Sequence, residues 1–232
     1  IMGIIVTQWV PGRYIQGASW DALAYAAVAL NSGSEEARKN AFPLFVKKHF
    51  GTEWDDDWDE IFRTFYDSAP NRRGCSPSWL KPFLPVPWTS DEELINAAKE
   101  ETPSPAPFRR ITRKLKKLKK TVKSNIDDFN ALHLTAEYLC HVTERQQRLS
   151  DAVSSRNHSI FFATLEDILK KDEKLVRKLK SDWKKTRGTL KLKLVRNFTK
   201  TPEDRMTSCL IESANYISTL LETPERIKNL LM

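Results

Sequence analysis

The sequence predicts a mainly α-helical protein that opens with one β/α unit and continues as a helical bundle. Three observations carry this. Gly3-Ile-Ile-Val-Thr-Gln-Trp-Val-Pro-Gly-Arg-Tyr14 is an apolar run closed by Pro and Gly, as in a strand buried on both faces. Ser19-Trp-Asp-Ala-Leu-Ala-Tyr-Ala-Ala-Val-Ala-Leu30 follows at once with helical spacing. After it, apolar residues recur three or four apart almost to the C-terminus, and only 7 glycines interrupt 232 residues. A lone strand leaves its backbone groups unpaired, about 1–3 kcal/mol for each buried one. The expectation is therefore that the chain is the C-terminal part of something larger.

Ser19 is a good N-cap for the first helix, whose Trp20, Leu23, Ala27 and Leu30 share a face, and Asn31-Ser-Gly33 ends it. Residues 34–50 predict a second helix, with Glu35 and Glu36 at its start, Lys47, Lys48 and His49 at its end and a kink at Pro43. A third, over 53–68, carries an aromatic stripe of Trp54, Trp58, Ile61, Phe62 and Phe65, read as core. Asp55, Asp56 and Asp57 in its first turn read as solvated helix-start charges. Residues 69–89 hold five prolines with Trp79, Phe83 and Trp88, an extended loop laid across a surface. Ser90 and Glu93 form a capping box for a helix to about Glu100. Thr102-Pro-Ser-Pro-Ala-Pro107 is a linker. The organisation expected is 1–33 as the β/α unit, 34–101 as a helical segment packing on it, 102–107 as linker and 108–232 as a C-terminal helical bundle.

Within that bundle, Phe108, Ile111, Leu115, Leu118, Val122, Ile126 and Phe129 are spaced like a coiled-coil seam, extended by Leu132, Ala136, Leu139 and Thr143. Further helices are expected at 160–171, 173–187 and 203–221. Leu190 to Leu194 alternates like a strand yet also fits a helical face, and helix is favoured with Gly188 as a break.

Composition narrows the chemistry. The three cysteines (Cys75, Cys140, Cys209) suggest neither a disulfide framework nor a zinc motif. The histidines (His49, His133, His141, His158) are isolated, so no metal site is expected. The longest apolar run, Ala22 to Leu30, is about half a membrane span. Asn157-His-Ser and Asn197-Phe-Thr fit the N-glycosylation pattern, which is common by chance.

The order GIIVTQW…RYI…GASWDALAYAAVAL resembles the last strand and last helix of a (β/α)8 glycoside hydrolase barrel of the family 20, β-N-acetylhexosaminidase type. LVRKLKSDWKKTRG, residues 175–188, resembles more loosely the closing helical region of such enzymes. The resemblance implies that the first β/α unit is the remnant of a barrel. It implies that Trp9 belongs to the wall on which the sugar stacks. Gln8 would stand at the same strand end, with Arg13 and Tyr14 on the loop above, where barrel active sites are built. The family's carboxylate after that Trp is replaced here by Val10, Pro11, Gly12 and Arg13. The catalytic Asp–Glu pair belongs to an earlier strand, and no catalytic residue is expected in this chain. The implied reaction is hydrolysis of a glycosidic bond in a carbohydrate substrate, with the substrate's acetamido group as nucleophile and no metal or cofactor.

The alternative is a non-enzymatic helical interaction module. Arg109 to Lys123 carries nine basic residues and no acid, in a chain of net charge +8. Such a face could bind a protein or polyanion, but no aromatics interleave for base stacking, and a solvated helix face is preferred over nucleic-acid binding.

Overall fold

The computed structural model describes residues 20–67, 88–100, 104–187 and 205–231. All regular elements among them are helical. They are α1 (Trp20–Ser32), α2 (Ser34–Phe45, widening into a π turn at Val46–Phe50), α3 (Asp56–Asp67) and α4 (Asp91–Lys99). Then come α5 (Ala106–Leu118), α6 (Ile126–Ser154), α7 (His158–Arg187), α8 (Arg205–Leu221) and α9 (Pro224–Leu230). The expected strand at Gly3–Val10, most of the proline-rich segment and the ambiguous 190–194 stretch lie outside the described residues.

Local chemistry sets three of the helix starts. The Asp55 carboxylate accepts from the Trp58 amide at 3.0 Å and so caps α3. Ser90 Oγ accepts from the Glu93 amide at 3.2 Å. The Glu93 carboxylate reaches back to the Thr89 amide at 2.7 Å, one residue earlier than a standard capping box places it. Asn157 opens α7 by accepting from the amides of Ser159 and Ile160 at 3.0 and 3.1 Å. Pro43 does not break its helix: α2 runs through it and widens one turn later.

The seam expected from Phe108 to Thr143 is not one helix. α5 ends at Leu118, and the chain reverses through a turn that ends on Asn125, whose φ is +50°. Phe108, Ile111, Leu115 and Leu118 of α5 then pack with Phe129, Leu132 and Ala136 of α6 in one cluster. Ile126, which continues the spacing, is 51% exposed. The stripe is the two facing sides of a helical hairpin, not a face offered to another chain. Conversely, the helices expected at 160–171 and 173–187 are one continuous α7, with Asp172 fully buried at its middle.

α6 is the spine. Its 29 residues span about 43 Å at 1.5 Å per residue, and it enters three apolar clusters. Phe129, Leu132 and Ala136 join the aromatic stripe of α3 and the end of α2. Ala131, Leu134, Tyr138 and Val142 meet Leu175 and Leu179 of α7 and Leu210 of α8. Leu149 and Ala152 meet Trp88, α4, α7, α8 and α9. In the first cluster the Phe50 and Trp58 rings stack at 5.5 Å, and Phe129 meets both edge-on.

α1 behaves differently. It packs on α2, yet its one buried residue is Asp21. Trp20, Leu23 and Leu30 are 42%, 39% and 54% exposed.

Candidate functional site

The expected rim residues Gln8, Trp9, Arg13 and Tyr14 lie outside the described residues. Among the described residues, a groove of about 290 Å³ lies between α1 and the end of α2. Ala24, Ala27, Val28 and Leu44 line it, with Lys48 and His49 on its rim.

His49 is held from several sides. Its ring stacks on Phe45 at 4.9 Å. Nε2 lies 2.9 Å from an Asp128 carboxylate oxygen of α6. The Asn125 amide nitrogen approaches Nδ1 at 3.4 Å. An amide nitrogen only donates, so Nδ1 accepts and the proton sits on Nε2, facing Asp128. The backbone is tied as well: the His49 carbonyl accepts from Ser124 Oγ at 2.6 Å and from Asn125 Nδ2 at 2.7 Å. The Phe50 carbonyl accepts from the amides of Lys123 and Ser124. Gly51, at φ +66°, brings the chain so close that a Cβ there would stand 3.2 Å from that of Lys123. With both ring nitrogens engaged, His49 works as a clasp between the π turn and the start of α6, not as a free base.

A second cluster is buried between α6 and α7. His141 and Arg145, one turn apart on α6, both face Asp172. His141 Nε2 is 2.5 Å from one carboxylate oxygen, and Arg145 Nη2 is 3.3 Å from the other. The Arg145 guanidinium also lies 3.6 Å over the Trp88 ring, and the Trp88 amide donates to Ser213 Oγ of α8 at 3.0 Å. Burial pulls Arg145 below the usual guanidinium range, while Asp172 acts the other way. Arg145 Nε and Nη2 and Asp172 Oδ2 make no well-aligned hydrogen bond. The cluster thus holds an ion pair by proximity and a stacked ring, which suits a tertiary lock. The sequence hid it because each member has an ordinary surface residue type; its one hint was an Asp between two apolar helical runs.

The third feature is the basic stretch, and it is less solvated than expected. Arg109 grips Glu144 of α6 through Nε at 2.8 Å and Nη2 at 2.5 Å. Arg110 bonds Glu60 of α3 at 3.0 Å, and Lys114 pairs with both Glu60 and Asp57. The hydrogen bond from Lys114, with that from Arg110, holds the Glu60 carboxyl below its ordinary range. Asp57 is therefore a partner to α5 rather than a solvated helix-start charge. Arg113, Lys116, Lys117, Lys119, Lys120 and Lys123 are exposed, with no acidic partner among the described residues.

Among the described residues reactive chemistry is not concentrated elsewhere. Burial pushes the Cys140 thiol up to about 11, with Glu144 adding to it, which leaves a poor nucleophile. Among the described residues no group of three His, Cys, Asp or Glu could hold a metal ion, and no helix is long and apolar enough to cross a membrane. No protein family, curated protein or solved structure matches the chain.

Proposed function

We propose that the chain is the closing part of a family 20-like glycoside hydrolase, contributing the last β/α unit of the barrel and a wall of the sugar site. The observation that carries this reading is α1. It is Ala-rich and apolar, yet leaves Trp20, Leu23 and Leu30 exposed. An apolar helix directly after a strand-like run belongs against a parallel sheet, and the small alanines let it approach closely. In this reading Trp9 supplies the stacking face, with Gln8, Arg13 and Tyr14 around it. The acid that protonates the leaving oxygen comes from another strand, so the 232 residues alone hydrolyse nothing.

The experiment is the coding sequence upstream of Ile1 together with the Trp9→Ala variant of the full-length parent. Seven preceding β/α units, and a 10- to 100-fold lower kcat/KM on an aryl N-acetylglucosaminide, about 1.4–2.7 kcal/mol of transition-state stabilisation, are expected. No upstream units, or nitrophenol release by the 232-residue chain itself, would overturn the reading.

A non-enzymatic helical module is the second reading. It is favoured by the three apolar clusters that α2 to α9 close around α6 with no sheet among the described residues.

A further inference from the structure

We draw no further inference here: the strongest candidate, the apolar groove between α1 and the end of α2 with the exposed Lys48 on its rim, carries nothing because nothing in the structure shows what covers it.

Discussion

Removing the Asp172 carboxylate tests whether the Arg145 cluster holds the bundle together. Asp172 is fully buried and Arg145 is 2% exposed, so neither charge is relieved by water. In Asp172→Ala the guanidinium keeps the Trp88 ring, worth up to about 2 kcal/mol when desolvated, but loses its counter-ion. His141 loses the acceptor at its Nε2 in the same step. A buried pair broken from one side costs about 3–5 kcal/mol, a large share of the roughly 5–15 kcal/mol of a typical domain. Arg145→Met adds a matching test, because Met fills much of the space without a charge. The double variant Arg145→Met/Asp172→Ala has no stranded ion and is expected to regain at least about 2 kcal/mol over Asp172→Ala. The assay is a urea titration followed by circular dichroism, with an unchanged slope showing that the same surface unfolds. If Asp172→Ala costs less than about 1 kcal/mol, or the two single changes simply add, the charges are not isolated from solvent and the reasoning is wrong.

Two other outcomes follow from the same geometry. Leu115→Ala, at a fully buried hairpin position, is expected to cost about 2–5 kcal/mol, while Lys117→Ala on the exposed side changes stability by less than about 0.5 kcal/mol; equal effects in a urea titration would mean the hairpin is misassigned. His133 is held below its ordinary value of 6.5 by burial, with Lys178 and Lys119 adding to it and Glu137 opposing. The unfolded state therefore binds more protons, so this contribution is present above about pH 6.5 and is lost as pH falls toward the folded value. His133→Asn is expected to flatten the stability profile across that window, and an unaltered slope would remove His133 as its source.

Much of the helical organisation is legible in the sequence because it is written in local terms. Asp55, Ser90 and Glu93 announce helix starts by their own hydrogen bonding, and the stripe from Trp54 to Phe65 is core, as its spacing predicts. Spacing fails where the chain reverses. From Leu118 through Val122 and Ile126 to Phe129 the apolar residues keep a helical interval, although Asn125 turns the backbone left-handed between them. Periodicity records which residues are apolar, not whether the axis continues. The Arg145–Asp172 lock was illegible for another reason: burial of a charge is a property of two helices meeting, and neither helix shows it alone. The proposed sugar-site residues, Gln8, Trp9, Arg13 and Tyr14, lie where the structure describes nothing, so that part of the reading still rests on resemblance.

The central position of α6 bears on how the protein can be divided. Each of the three apolar clusters takes side chains from this one helix, so any cut between Ile126 and Ser154 exposes at least one of them. Fragments that end before α6, or begin after it, lack a complete interior and are expected to remain unfolded separately. Pieces meeting at the Asn157 turn, where the chain is exposed, keep α6 whole on one side and leave α7 to dock on it. That turn, rather than the proline-rich linker before α5, is where two separately expressed halves should find each other and reassemble.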